Sequence, residues 1–176
     1  MLRLPSCHDM AAQRQAQANE LWGVVKSVWE VPFTVPHGLI MRLMTLVGDG
    51  DIVYTDAAME AAGLGVVAGS TCLLTPELVV LATIDVPEEV RGPGPVLVEA
   101  WSRARLDSIE IPPDRNVGAD PWDEMPAHGW PAGAQAVLRF QGRQQPLLLP
   151  LSRDAPRERR RAFGELFPSL VKNLAT

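Results

Sequence analysis

The sequence predicts an α+β fold. The expected form is a small, mostly antiparallel, curved sheet or partly open barrel of about seven strands. A C-terminal amphipathic helix caps it, and a further helix lies at the N-terminus. Three observations predict this. The apolar runs on either side of Thr75-Pro76-Glu77 are rich in β-formers, and proline at the second position of a tight turn between such runs is a hairpin signal. Residues 96–107 alternate, with Val96, Val98, Ala100, Ser102, Ala104 and Leu106 on one parity and Leu97, Glu99, Trp101, Arg103, Arg105 and Asp107 on the other, mostly polar one, the period of a strand. Phe163, Leu166, Phe167, Leu170, Val171 and Leu174 recur at spacings of three and four, the period of a helix with one apolar stripe. Sixteen Pro and fourteen Gly among 176 residues favour many short elements over a helical bundle.

Along the chain, residues 1–9 read as a loose leader and 10–30 as a helix. Gln13–Glu20 supplies strong helix formers, and Leu21, Trp22, Val25, Val28 and Trp29 form an apolar face. Pro32 and Pro36 stop that helix, so residues 10–36 are assigned as N-terminal helix and linker, and 37–176 as the sheet-bearing domain. Residues 39–47 and 52–55 read as strands around Gly48-Asp49-Gly50-Asp51, a turn that lacks the acid spacing and closing Glu of a calcium loop. Residues 56–63 are Ala-rich and read as a short helical or loop piece. The hairpin around Pro76 follows, then a Pro/Gly loop at 87–95. Val96–Ile111 reads as one strand, bent near Asp107-Ser108. Pro112 opens an aperiodic insertion, 112–133, with five prolines and two tryptophans. Gly142-Arg143 turns a second hairpin, residues 134–141 and 144–151. Pro146 and Pro150 place its last strand at an edge, where a partner could add a strand. The final helix, 155–175, has Asp154 as its expected N-cap and Pro156 in its first turn.

The order of these elements resembles the bacterial pleckstrin-homology-like and GRAM-like domains. Three segments carry the resemblance: Leu46-Val-Gly-Asp-Gly-Asp-Ile-Val53, Thr71-Cys-Leu-Leu-Thr-Pro-Glu-Leu-Val-Val-Leu81 and Trp101-Ser-Arg-Ala-Arg-Leu-Asp-Ser-Ile-Glu-Ile111. The helix at 155–175 takes the expected final place. The match runs in order over residues ~40–175; the insertion at 112–133 and the helix at 10–30 lie outside it, and Glu77 stands where the family often has a basic residue. The resemblance implies a non-catalytic adaptor or scaffold module that binds protein. In the family, basic residues of the strand loops contact lipid headgroups, whereas the early loops here are acidic.

The net charge is −5 and the pI about 5.2, which argues against nucleic acid as a partner. Fourteen of the sixteen basic residues are Arg, the mark of a GC-rich coding bias. Eight acids and no Lys or Arg lie within residues 48–90. Two cysteines make no disulfide framework, and Cys72 sits in an apolar run as a core residue. No stretch approaches the ~20 apolar residues of a membrane span, so the expected compartment is the cytoplasm. His8, His37 and His128 lack zinc-ligand spacing, and no phosphate-binding glycine motif occurs. Hence no catalytic residue, metal or cofactor is expected. The expected partner is a protein, met by Trp122, Trp130 and His128 in the insertion and by Trp22 and Trp29 on the first helix, since aromatic side chains anchor interfaces. The same apolar faces admit a homo-oligomer. Arg157, Arg159, Arg160 and Arg161 crowd the start of the last helix, where cations oppose the helix dipole. They are the candidate contacts for an anion or lipid, and the first alternative is a peripheral binder of anionic membrane. The second is a small-ligand carrier or enzyme whose site lies in the open end of the barrel.

Overall fold

A computed structural model describes residues 7–29, 35–48, 50–61, 67–85, 95–112, 130 and 133–174, with side chains from residue 13 onward. The chain forms helix α1 (Cys7–Val28), helix α2 (His37–Val47), strands β1 (Tyr54–Ala61), β2 (Val67–Leu74), β3 (Leu78–Ile84) and β4 (Val96–Ser102), a 3-10 turn at Arg103–Arg105, strands β5 (Leu106–Glu110), β6 (Ala136–Phe140) and β7 (Leu147–Leu149), and helix α3 (Arg157–Asn173). The fold is α+β. A four-stranded sheet runs β1-β2-β3-β4, a three-stranded sheet runs β5-β6-β7, and every pairing is antiparallel. Among the described residues, neither sheet closes into a barrel.

The larger sheet is the middle layer, and strand alternation divides its side chains between two cores. Tyr54, Cys72, Leu74, Val79 and Leu81 point to one face. There they meet Leu138, Phe140 and Leu149 of the small sheet and Phe163, Leu166 and Leu170 of α3. Ala57, Leu73, Val80, Ala82 and Ile84 point to the other face, against Leu21, Val25 and Trp29 of the α1 region and Leu39, Ile40 and Leu43 of α2. Burial on both faces explains why β2 and β3 are near-continuous apolar runs.

Four expectations are corrected. Residues 39–47 form α2, not a strand. Leu39, Ile40 and Leu43 are its buried side chains, and that i, i+1, i+4 stripe suits a helix lying flat on the sheet. Residues 54–61 form an edge strand in place of a helical piece; pairing with β2 from Tyr54↔Leu74 to Ala61↔Val67 overrides the helix preference of its alanines. The chain leaves the larger sheet at Arg103–Arg105, earlier than the expected bend, and a register irregularity between Leu106 and Ser108 follows inside β5. Finally, Asp154 does not cap α3: Pro156 occupies the N-cap, with no side-chain cap bond.

Candidate functional site

Among the described residues, the outer edge of β4 has no strand beside it. In an antiparallel ladder, alternate pairs exchange N–H···O bonds, so alternate residues turn both main-chain groups toward the neighbour and the rest turn them away. Two bonds fix that phase. Asp85 N–H donates to the Pro95 carbonyl at 3.3 Å, and Arg103 N–H donates to the Glu77 carbonyl at 2.7 Å. Both pairs continue the register Leu78↔Ser102 to Ile84↔Val96. Odd-numbered residues of β4 therefore bond to β3, and Val96, Val98 and Ala100 face outward. The Val96 carbonyl accepts a bond from Arg42 Nη1 of α2, as an outward carbonyl must to be reachable. The N–H and C=O groups of Val98 and Ala100 have no partner among the described residues.

Beside this edge, α2 supplies a shelf. Arg42, Thr45 and Leu46 with Val96, Leu97 and Val98 enclose a groove of about 320 Å³. Leu97 is 57% exposed and Met41, one helical turn before Thr45, is 46% exposed. The face opposite α2 carries exposed Glu99 and half-buried Trp101, whose ring lies 4.6 Å from the Arg143 guanidinium.

Of the other three edges, β1, β5 and β7, those of β1 and β7 are blunted. On β1, the outward groups of Ala57 are both taken: its N–H donates to Asp56 Oδ1 at 2.8 Å, and its carbonyl accepts from Arg159 Nη1. Edge strand β7 is three residues long and lies between Pro146 and Pro150, so it offers a second strand few main-chain groups to pair with.

Asp56 is the centre of a buried polar knot. It is fully buried and pairs with Arg159 Nη1 at 3.0 Å. It also accepts from Tyr54 Oη at 3.1 Å and Leu151 N–H at 2.6 Å. One carboxylate thus ties β1, the β7–α3 connection and α3 together. Burial, then the Asp56 charge, pushes both the Tyr54 hydroxyl and the Cys72 thiol far up. Neither is prepared as a nucleophile, which requires ready ionisation or an adjacent base. Arg103 is the second buried cation. It donates from Nη1 to the Thr75 carbonyl at 3.1 Å and from Nη2 to Ser169 Oγ at 2.7 Å and Asn173 Oδ1 at 3.1 Å. Its Nε has no hydrogen-bond partner among the described residues, and burial lowers its pKa. It acts as a clamp between the β2–β3 turn and α3.

The residues singled out by sequence fall in different places. Trp29 is buried in the helix-side core, its indole N–H donating to Thr71 Oγ1 at 2.9 Å, while Trp22 is 42% exposed on α1. Trp130 is buried. It stacks edge-on against Phe163 with centroids 4.8 Å apart, lies 4.8 Å from Phe167, and donates to the Ala134 carbonyl at 2.8 Å. Trp29 and Trp130 therefore serve the cores and offer no docking surface. Trp122 and His128 lie outside the described residues. Of the arginines, Arg159 turns inward to Asp56, Arg161 pairs with Glu165 at 3.0 Å on the surface, Arg157 is exposed and Arg160 half-buried. Arg159 therefore leaves the outward set, while Arg157, Arg160 and Arg161, at i, i+3 and i+4 of α3, share one helix face.

A cleft of about 460 Å³ between α1, α2 and Gly50–Ile52 has exposed Glu20 and Asp51 at its rim. Among the described residues, no group of three or more His, Cys, Asp or Glu is placed to hold a metal ion, and no helix is long and apolar enough to cross a membrane. No protein-family model and no curated protein matches the chain.

Sequence reasoning missed the β4 edge. The alternation of 96–102 was visible, but alternation tells which way side chains point, not which neighbour the main chain lacks.

Proposed function

We propose that this chain is a non-catalytic, cytoplasmic protein-interaction module of pleckstrin-homology-like fold, which receives an extended segment of a partner as a fifth strand beside β4. The observation that carries the reading is the outward phase of Val98 and Ala100, two donors and two acceptors at strand spacing beside an apolar groove. Main-chain bonds of this kind give affinity in strand addition, and flanking pockets give selectivity. The element order from β1 onward supports the fold assignment: a four-strand meander, a three-strand meander and one terminal helix, with α1 and α2 added before it. Burial keeps the Tyr54 hydroxyl and the Cys72 thiol protonated, so neither serves as a nucleophile.

The test is selection of binders from a displayed library of random dodecapeptides, followed by Ala100→Pro. Proline at 100 removes an outward N–H and puts its ring on the edge, while the ladder to β3 keeps its bonds. Selected peptides should bind Ala100→Pro at least tenfold more weakly, since one lost bond plus a steric block exceeds about 1.4 kcal/mol. Glu99→Pro removes an N–H that the ladder uses, and should destabilise the fold by about 1–3 kcal/mol more than Ala100→Pro does. Failure to enrich any peptide, or unchanged binding by Ala100→Pro, contradicts the proposal.

A further inference from the structure

Resting on the reading that β4 adds a strand, we infer that the segment it takes is an acidic-apolar one, with a carboxylate on the face it shares with α2. Arg42 is the charged side chain lining the groove. Its Nη1 is already anchored on the Val96 carbonyl, which fixes the guanidinium at the lip of the edge. A guanidinium has five donors, so those remaining are available to a carboxylate in a forked, charge-assisted arrangement. The opposite face of β4 has the opposite preference: exposed Glu99 repels an acid placed across from it. The two faces of the incoming strand are therefore distinguishable. Acidic and apolar residues belong at alternate positions over the groove, and apolar or basic residues belong at the positions between, against Leu97 and Glu99.

Charge also decides against a second copy of this chain as the occupant. Antiparallel pairing of two β4 strands about a two-fold axis at Leu97 would bring the two apolar Leu97 side chains together. That same axis keeps both α2 helices on one face of the joined sheet. The two Val96 carbonyls, and the Arg42 groups they anchor, would then lie roughly 8 Å apart from strand spacing and rise alone, within the screening length at ordinary salt. Like charges at that range oppose the dimer, whereas a carboxylate in the same position is attracted.

The dodecapeptide selection, run in parallel on the wild type, Arg42→Lys and Arg42→Glu, tests this. Wild type and Arg42→Lys should enrich Asp or Glu at positions of one parity, and Arg42→Glu should replace them with Lys or Arg. The best wild-type peptide should lose roughly two- to fivefold in affinity for Arg42→Ala, the range of an exposed ion pair. Peptides that bind, lose affinity for Ala100→Pro, yet show no acidic preference and ignore Arg42→Glu would overturn this inference and leave strand addition standing. No enriched peptide, or indifference to Ala100→Pro, would overturn both. A concentration-dependent dimer in sedimentation that Ala100→Pro abolishes would place a second copy on the edge and overturn the acidic occupant.

Discussion

Arg159→Met removes one partner of the Asp56 pair and keeps most of the apolar stem. Its effect can be gauged against Arg161, two residues away. Both arginines sit 3.0 Å from a carboxylate oxygen, but Arg159 and Asp56 have side-chain exposures of 9% and 0%, against 73% and 58% for Arg161 and Glu165. Distance being equal, burial decides. Truncating one member of a buried pair strands a charge in a poor solvent and costs about 3–5 kcal/mol; losing an exposed i,i+4 pair costs about 0.3–0.5 kcal/mol. Arg159 additionally leaves the Ala57 carbonyl without its donor. At 2–4 °C per kcal/mol for a chain of this size, Arg159→Met should lower Tm by roughly 6–20 °C, and Arg161→Met by about 2 °C or less. Thermal and urea melts of the two variants side by side give the comparison. Adding Asp56→Asn to Arg159→Met should recover part of the loss, because it removes the stranded charge and keeps one carbonyl acceptor, giving a coupling of roughly 0.5–3 kcal/mol. Equal and small losses for Arg159→Met and Arg161→Met would refute the buried pair and, with it, the closure of the β1 edge.

Three further outcomes follow from the cores and the strands. Cys72 and Tyr54 titrate far above their ordinary values when folded. Their stabilising contribution is therefore complete below the unfolded pKa values, about 8.5 and 10, and is lost as pH rises above them. The unfolding free energy from urea melts should fall between pH 8.5 and 10, with a slope from Cys72 that approaches about 1.4 kcal/mol per pH unit, and Cys72→Ala should flatten that part of the curve. Trp130→Ala should cost about 3–5 kcal/mol in a urea titration, since its ring fills the space between Phe163 and Phe167; a loss under about 1 kcal/mol would place the ring outside the core. Gly69 has φ 132°, and a Cβ there would collide with the Ala58 carbonyl and Met59 Cα on β1. Gly69→Ala should therefore destabilise by more than about 1 kcal/mol, measured by thermal melt.

The parts of this fold that the sequence made legible are those where pattern and environment agree. The β2–β3 hairpin has a proline turn between two apolar runs, and α3 has a long stripe at helical spacing. The blunted last strand was readable from Pro146 and Pro150 alone. The misread parts are short segments in which local preference and tertiary burial compete. His37–Val47 is a brief apolar run, and such runs do not separate a buried strand from a helix lying on a sheet. Tyr54–Ala61 is rich in alanine, yet Ala57 is buried in the core beneath α1 and α2. The function-bearing features were harder still. Arg159 and Arg161 are equivalent as sequence, and only the position of α3 over β1 makes one a core residue and the other a surface one. Trp29 and Trp130 drew attention as aromatic anchors because composition gives no account of what lies beneath a tryptophan. The β4 edge depends on strand order, which no local pattern encodes.

Amide hydrogen exchange tests most directly whether β4 presents its even-numbered residues outward. In the free protein, the amides of Val98 and Ala100 should exchange rapidly, while those of Leu97, Glu99 and Trp101 exchange slowly behind the β3 ladder. On saturation with a selected peptide, Val98 and Ala100 should become slow and the odd-numbered amides should change little. Slow exchange at Val98 and Ala100 in the free protein, or no added protection when peptide is bound, would contradict the edge as the binding site.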